Sequence, residues 1–175
     1  TELKGKKLGI HAFGQVGRNV ARIAKGFGME VFAFDPYCPA SVMEAEGVKP
    51  ITDINELYST CQYVSLHIPA TNETKKSINY ALLKQMPKGA MLINTARKEV
   101  INEEELVQIM DERPDFRYVS DITPDNASVF AEKFTGRYFF TPKKMGAQTA
   151  EANINAGIAA AKQSVGFLKE GIDKF

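Results

Sequence analysis

Short apolar runs alternate with stretches of helical periodicity along this chain. Near-continuous apolar runs predict buried strands in six segments: KKLGIHAF, EVFAFD, QYVSLHIP, GAMLINTA, FRYVSD and RYFFTP. After the first run, apolar residues recur at spacings of four, three and four and predict one face of a helix: Val16, Val20, Ile23 and Phe27. Gly28 then predicts the end of that helix. Strands and helices that alternate in this way predict a doubly wound α/β fold with a parallel sheet covered on both faces.

Capping residues indicate where other helices begin. Asp53 and Glu56 form a capping box, and Asn102 precedes three glutamates, which the positive end of a helix dipole favours. The segment YALLKQM predicts a further short helix. A long closing helix is predicted by apolar residues that share one face: Ile154, Ile158, Ala161, Val165, Leu168 and Ile172.

Composition and charge narrow the possible classes of function. The 175 residues are 44% hydrophobic and 25% charged, which is ordinary for a soluble globular protein. A formal net charge of +1 gives no electrostatic reason to expect binding to nucleic acid or to an anionic membrane. No apolar run is long enough to span a bilayer, and no signal peptide opens the sequence. We expect Cys38 and Cys61 to be free thiols in a cytoplasmic protein, and the sequence predicts no metal site.

The segment IHAFGQVGR resembles a phosphate-binding loop between the first strand and the first helix. In the dinucleotide fingerprint G-x-G-x-x-G, the three glycine positions are occupied here by Ala12, Gly14 and Gly17. Gly14 lets the backbone approach a pyrophosphate, and Gly17 lets the helix pack closely on the strand. Alanine is tolerated at the first position where φ is negative, so we expect Ala12 to weaken the loop without abolishing it. An ordinary strand-helix turn is the alternative interpretation.

The second predicted strand ends in Asp35, eighteen residues after Gly17. An acidic residue at this point can accept hydrogen bonds from both hydroxyls of the adenosine ribose. Pro36 and Tyr37 follow instead of an arginine, and the carboxylate would repel a 2′-phosphate. The sequence therefore predicts NAD rather than NADP, and a strand-end turn former is the alternative interpretation of Asp35.

Several ordered motifs, from about Thr1 to about Asn155, are similar to one enzyme family. They are LGIHAFGQVGR, DP, SLHIPATNET, LINTAR, SDITP and TPKKMGAQTAEA. The chain resembles the cofactor domain of the D-isomer-specific 2-hydroxyacid dehydrogenases, and within them the phosphoglycerate dehydrogenase branch. The resemblance implies an NAD-dependent oxidoreductase that converts 3-phosphoglycerate to 3-phosphohydroxypyruvate, a step of serine biosynthesis. A methyltransferase with a related sheet fits these motifs poorly.

The resemblance also implies roles for individual residues. Arg97 would hold the substrate carboxylate, for which a planar guanidinium is better suited than an ammonium group. Asp121 would bind the nicotinamide carboxamide, and His67 would line the cofactor after its strand. For His67, a satisfied strand-end histidine is an equally good explanation, and His11 has no family role. The full set of expected cofactor contacts is Gly14, Gln15, Val16, Gly17, Asp35, His67, Pro69, Thr74, Thr95, Ala96, Asp121 and Gly146.

Two family motifs are altered in this sequence. The usual glutamate that follows the Asp121 position aligns with Asn126, next to Asp125, and the usual catalytic histidine aligns with Lys143. One interpretation is a non-catalytic NAD-binding regulator on the same fold. The other is a branch in which Lys143 is the acid-base, and it is favoured because a carboxylate beside a catalytic lysine would stabilise the protonated form.

The remaining expectations concern charge, extent and assembly. Lys98 replaces a glycine common in the family, and it would either add positive charge for a phosphorylated substrate or be solvated. Residues 1–175 are expected to form a single dinucleotide-binding domain, with the substrate lobe absent from this chain. The isolated chain is therefore expected to turn over poorly, and the full-length protein is expected to be a homodimer.

Overall fold

Seven parallel strands form the central sheet of this protein, for which we describe a computed structural model over residues 2–144, 146 and 148–171. The strand order is β3-β2-β1-β4-β5-β6-β7, so the chain reverses its direction of winding between β1 and β4. Every pair of neighbouring strands is parallel. The strands are β1 (Lys7–His11), β2 (Glu30–Phe34), β3 (Lys49–Pro50), β4 (Tyr63–Leu66), β5 (Met91–Asn94), β6 (Arg117–Ser120) and β7 (Tyr138–Phe140).

Helices connect the strands, and their bounds are α1 (Gln15–Gly26), α2 (Ala40–Ala45), α3 (Ile54–Thr60), α4 (Tyr80–Leu83), α5 (Glu103–Glu112), α6 (Ala127–Lys133) and α7 (Ala150–Glu170). The predicted caps are present, because the side chains of Asp53 and Asn102 accept hydrogen bonds from backbone amides in the first turns of α3 and α5. Gly28, just after α1, has φ of +73°, which explains why glycine ends that helix. The doubly wound parallel α/β fold predicted from the alternation is confirmed.

The core lies on both faces of the sheet. Side chains alternate along β2, where Val31 and Ala33 belong to the cluster that packs under α1 and α2. Phe32 and Phe34 point to the opposite face and pack against the larger cluster, which includes Leu57 from α3. This burial on both faces is the reason that the strands are apolar runs in the sequence rather than alternating patterns.

Helix α1 packs on the sheet through small residues, which are Gly17, Ala21 and Ala24. Of the apolar residues that predicted this helix, Val20 is partly buried against the core, whereas Val16, Ile23 and Phe27 are about 60% exposed. Small side chains at the contact allow the helix axis to approach the strands closely. The period of the apolar residues therefore identified the helix but not the side that it buries.

The chain divides into two compact units, residues 1–143 and residues 144–175. The described part of the second unit contains α7, which begins after Thr149, whose side chain accepts a hydrogen bond from the Ala152 amide at 3.0 Å. Helix α7 ends at Gly171, which has φ of +65°. The predicted long helix is thus present, while Ile172 lies outside the described residues. Among those residues, no helix combines the length and hydropathy needed to cross a membrane.

Candidate functional site

The carboxyl ends of six strands meet along one edge of the sheet and place most predicted site residues there. Strand pairing aligns the last residues of neighbouring strands: Phe34 with His11, His11 with Leu66, Leu66 with Asn94, Asn94 with Ser120, and Ser120 with Phe140. The winding reverses between β1 and β4, and in open α/β sheets ligands bind in the crevice at such a point.

The glycine positions of the first loop have different structural reasons. A Cβ on Gly17 would overlap the Ala12 carbonyl oxygen and lie 3.0 Å from the Ile10 Cγ2 atom, so close packing of α1 on β1 requires glycine here. A Cβ on Gly14 would meet nothing within 4 Å, and φ at Gly14 is −75°. Neither packing nor backbone conformation requires glycine at position 14, so the space beside it is available to a ligand.

Ala12 occupies a backbone conformation that favours glycine. Its φ is +79°, so the expectation of a negative φ at this position was wrong. The Ala12 amide donates to the Phe34 carbonyl at 2.9 Å, and the neighbouring Phe13 amide donates to the Asp35 carboxylate at 2.8 Å. These two hydrogen bonds hold the turn in place, and an L-residue with positive φ is strained there by about 1–2 kcal/mol.

The N-terminus of α1 offers backbone donors at this edge. Its N-cap is Gly14, no side chain caps the helix, and no acidic residue lies in the first turn. The first amides of a helix have no intrahelical acceptor, and together with the dipole they attract anions. The amides of Gln15 and Val16 are therefore in a suitable setting for a phosphate, and their contact with the cofactor stays a prediction.

Asp35 lies directly after β2 and is anchored by two backbone amides. Its Oδ2 accepts from the Phe13 amide at 2.8 Å, and its Oδ1 accepts from the Tyr37 amide at 2.9 Å. Each carboxylate oxygen has a further lone pair, so both can still accept a hydroxyl. Asp35 thus joins the glycine loop to β2, and its predicted contact with the ribose stays a prediction.

A cavity of about 780 Å³ opens beside Asp35. Among the predicted cofactor contacts, Asp35, Pro69 and Thr74 line it, while His67 does not. Its other lining residues are His11, Ala12, Phe34, Pro36, Tyr37, Ile54, Ile68, Thr71, Asn72, Glu73, Ser77 and Leu82. The lining is mostly apolar and includes two acidic residues, Asp35 and Glu73, a combination that suits a flat, partly polar ligand.

Thr74 stabilises the loop that forms one side of this cavity. Its hydroxyl donates to the Pro69 carbonyl oxygen and accepts from the Thr71 amide at 2.8 Å. The Thr71 hydroxyl in turn accepts from the Thr74 amide at 3.2 Å. These reciprocal hydrogen bonds give Thr74 a structural role, and its predicted place beside the cofactor stays a prediction.

Two histidines lie at the ends of β1 and β4. His11 is buried, its Nδ1 lies 3.2 Å from the Tyr58 hydroxyl, and burial lowers the pKa of its imidazole to about 4. His67 Nε2 lies 3.0 Å from the Ser65 hydroxyl. His11 is therefore uncharged at neutral pH, and it lines the cavity.

Arg97 follows β5 at a turn shaped by a buried asparagine. Asn94 Oδ1 accepts from the Ala96 amide at 3.0 Å, and its Nδ2 donates to the Arg97 carbonyl at 3.0 Å. The exposed Arg97 guanidinium donates to the Ala96 carbonyl at 2.9 Å. In the described part of the chain no carboxylate lies within ion-pair distance of Arg97, so its outer donors are available to a carboxylate ligand.

The segment where the family glutamate was expected is held by two acidic residues. The Lys98 ammonium group donates a hydrogen bond to the Asp125 carboxylate at 2.6 Å. This hydrogen bond raises the pKa of the lysine. The Glu103 carboxylate accepts from the amides of Asp125 and Asn126 at 3.1 and 3.0 Å. Lys98 is therefore paired, which neither of its two expected roles anticipated.

Lys143 lies just after β7 at the same edge, and its side chain is exposed. Its carbonyl accepts from the Thr141 hydroxyl at 3.3 Å, and the Thr141 carbonyl accepts from Thr123 at 3.1 Å. Asp121 directly follows β6, one strand away, and its amide donates to the Asn94 carbonyl. Gly146 belongs to the second unit, residues 144–175.

Sequence reasoning missed three residues that shape this edge. Asn94 sets the turn that carries Arg97, Glu103 holds the Asp125 segment, and Tyr37 lines the cavity. The signal for Asn94 was available, because asparagine at a strand end commonly bonds the backbone two residues on. Glu103 was interpreted only as a residue favoured by the helix dipole, and the contact across 22 residues has no local signature.

Comparison with known proteins identifies the family. Residues 1–138 match the family described as D-isomer specific 2-hydroxyacid dehydrogenase, NAD binding domain. The chain belongs to this family. The chain is also similar to D-3-phosphoglycerate dehydrogenase of Methanocaldococcus jannaschii, at 35% identity over 167 residues, covering 93% of this chain and 31% of that protein. D-3-phosphoglycerate dehydrogenase 2, chloroplastic, of Arabidopsis thaliana is 39% identical over 173 residues, covering 95% of this chain and 27% of that protein.

A solved structure gives the same result. The NAD⁺-bound 3-phosphoglycerate dehydrogenase of Entamoeba histolytica is 47% identical to this chain, with a TM-score of 0.86 over all of this chain and 55% of that one. The chain thus spans about a third of the two curated relatives and about half of this solved chain. It contains an NAD-binding domain.

Proposed function

We propose that the adenosine half of NAD occupies the cavity beside Asp35, with the pyrophosphate at the N-terminus of α1. The uncapped first turn of α1 and the open space at Gly14 fit a phosphate group. The anchored Asp35 carboxylate fits a ribose diol, and it disfavours a 2′-phosphate. This combination is the single observation that carries the cofactor assignment.

Calorimetric titration of this chain with NAD and with NADP tests the assignment. We expect NAD to bind more tightly, because a 2′-phosphate would meet the Asp35 carboxylate. Equal or tighter binding of NADP would contradict the role given to Asp35. The matched variant Asp35→Asn keeps the side-chain shape and should reduce the preference for NAD.

For the substrate side of the edge, we propose that Arg97 binds the carboxylate of a D-2-hydroxy acid and that Asp121 orients the nicotinamide carboxamide. NAD, when bound, supplies the hydride acceptor for oxidation of the C2 carbon. Lys143, in its unprotonated form, accepts the proton from the C2 hydroxyl, and it returns a proton in the reverse direction. The proposal is supported by the strand ends of β5, β6 and β7, which lie side by side.

The proposed reaction of the whole protein is oxidation of 3-phosphoglycerate to 3-phosphohydroxypyruvate by NAD, a step of serine biosynthesis. Support comes from the relatives that carry the name 3-phosphoglycerate dehydrogenase. We propose that residues 1–175 form a single dinucleotide-binding domain and that a separate lobe completes the substrate site. This chain alone should therefore turn over poorly.

Steady-state turnover of 3-phosphoglycerate, followed by NADH formation, tests the reaction in the two-lobed protein. Turnover with Arg97→Lys should show a raised KM, because an ammonium group cannot bind a carboxylate in the bidentate manner of a guanidinium. NAD binding without turnover of this or any other D-2-hydroxy acid would instead support the non-catalytic regulator, which the exposed Lys143 and the missing histidine favour.

We further propose a cytoplasmic homodimer. The free thiols Cys38 and Cys61 are consistent with a reducing compartment, and burial raises the pKa of Cys61 to about 12, which makes it unreactive. Ile23 and Phe27 expose apolar surface on one face of α1, which suits contact with a second copy. Sedimentation of the wild type and of Ile23→Glu checks this, and an unchanged dimer in the variant would exclude that face.

A further inference from the structure

Tyr37 is a large aromatic residue that the protein leaves uncovered at the mouth of the Asp35 cavity. Its exposed fraction is 87%, the highest value for a large hydrophobic residue in the described part of the chain. An aromatic ring that is exposed to solvent does not contribute the large favourable free energy that its burial would provide. Because the ring lines a cavity rather than an open surface, a ligand in that cavity would recover part of this free energy.

The backbone holds Tyr37 in a defined position relative to Asp35. The Tyr37 amide donates to the Asp35 Oδ1 atom at 2.9 Å, and Pro36 between them has a restricted φ. The other carboxylate oxygen is held by the Phe13 amide. The backbone of Tyr37 is therefore held close to Asp35, the proposed acceptor of the ribose hydroxyls.

Much of the remaining cavity lining is apolar. Ile54, Ile68 and Leu82 contribute aliphatic side chains, and Pro69 contributes a flat ring. A ligand that fits must have a flat, weakly polar body joined to a diol that reaches Asp35. Adenosine has this chemistry, since its purine faces are apolar and its ribose carries two adjacent hydroxyls.

We propose that the Tyr37 ring stacks on the adenine of the bound cofactor and closes the open side of the cavity. This inference rests on the proposed function, which places the adenosine half of NAD in that cavity. The phenol ring supplies a π-face without reading the edge of the base, so the contact contributes affinity for adenine nucleotides in general. The hydroxyl group of Tyr37 has no part in it.

Calorimetric titration with AMP, NAD and nicotinamide mononucleotide tests the stacking role in the wild type and three variants. Tyr37→Ala should weaken AMP and NAD by about tenfold, a modest value for loss of one base-aromatic stack. Tyr37→Phe should retain the affinity within about twofold, because the π-face is kept. Phe139→Ala is the matched control, since Phe139 is 62% exposed and lies on β7 outside the cavity, and it should leave AMP binding unchanged.

The proton resonances of AMP provide a second measurement. Stacking shifts the adenine H2 and H8 signals upfield, and we expect this shift in the wild type and in Tyr37→Phe but not in Tyr37→Ala. Wild-type affinity for AMP in a folded Tyr37→Ala would overturn the role of Tyr37 while leaving the cavity assignment intact. An equal loss of affinity for nicotinamide mononucleotide would also overturn it. Absence of AMP and NAD binding to the wild type would reject the proposed function itself.

Discussion

The two halves of the sheet edge differ in how firmly their functional groups are held. Beside β1, β2 and β4, Asp35 is anchored by two backbone amides, and Thr74 is bound within its own loop. Beside β5 and β7, Arg97 donates only to the neighbouring carbonyl within the described residues, and the Lys143 side chain is exposed. The first half is shaped by short side chains bonded to backbone, and the second by long charged side chains.

This difference has a physical consequence for binding and catalysis. Groups that are already fixed lose little entropy when a ligand arrives, so affinity should depend on the first half. Long flexible side chains are ordered only when a partner is present, so the second half should determine rate rather than cofactor affinity. The following variants separate the two contributions, beginning with the largest expected effect.

Lys143→Ala should lower kcat in the two-lobed enzyme by about 10²–10⁴-fold, the usual contribution of a general acid-base. NAD affinity should change little, since Lys143 lies in the half that does not hold adenosine. Turnover kinetics together with NAD titration check both statements. Lys144→Ala is the control and should be much less affected, and full activity of Lys143→Ala would end the acid-base assignment.

Gly14→Val should reduce NAD affinity by at least about 100-fold, equal to about 2.7 kcal/mol, while the protein stays folded. A branched side chain here would fill the space through which the pyrophosphate approaches. Folding should be unaffected, because a Cβ at position 14 has no protein atom within 4 Å. Calorimetry and thermal unfolding measure the two effects. Wild-type affinity in this variant would mean that the loop is only a strand-helix turn.

Asp35→Ala should weaken NAD by about 1–3 kcal/mol, the range for hydrogen bonds that involve a charged group. The same variant should also lower the free energy of unfolding, because the Phe13 and Tyr37 amides lose their acceptor. Chemical denaturation without ligand separates the structural loss from the binding loss. An unchanged affinity would remove Asp35 from the cofactor site.

His11 should make the folded state less stable as the pH falls from neutral. Its pKa is about 4 in the folded state and 6.5 when unfolded, so the unfolded state binds more protons between these values. The free energy of unfolding should fall by about 2 kcal/mol between about pH 7 and pH 5 through this group alone. Urea unfolding of the wild type against His11→Phe isolates it, and equal pH dependence in both would contradict the burial effect. The hydrogen bond from Arg113 lowers the pKa of Asp115 to about 2. Protonation of Asp115 therefore changes the free energy of unfolding only in more acidic solution.

Ala12→Gly should raise the free energy of unfolding by about 1 kcal/mol, because glycine adopts the φ of +79° without strain. A negative φ would have made this change nearly neutral, so the variant distinguishes the two conformations directly. Thermal unfolding of the two proteins without ligand provides the measurement. A lower unfolding temperature in the glycine variant would count against the strained turn.

Much of this architecture could be predicted because its causes are local. Apolar runs located the strands and cap residues located α3 and α5, while the motifs located the sheet edge. The helix predicted over YALLKQM is present only as Tyr80–Leu83. The two-residue β3 and the short helices α2 and α6 were missed, since so few residues carry no measurable period.

The rest of the site depends on contacts between distant parts of the chain. The ion pair between Lys98 and Asp125 joins residues 27 positions apart, and the hydrogen bond from Phe13 to Asp35 spans 22 positions. Neither has a local signature. The positive φ of Ala12 was equally hidden, because an alanine gives no indication in the sequence of the backbone conformation that its neighbours impose.

The hydrogen bond from the Phe13 amide to Asp35 links cofactor choice to the integrity of the loop. Redesign of this domain toward NADP would replace Asp35 with a neutral or basic residue. The replacement would release the Phe13 amide beside the strained Ala12, and the turn would lose a main restraint. Selectivity and folding are therefore coupled through one carboxylate, and a successful redesign would first relieve the turn with glycine at position 12.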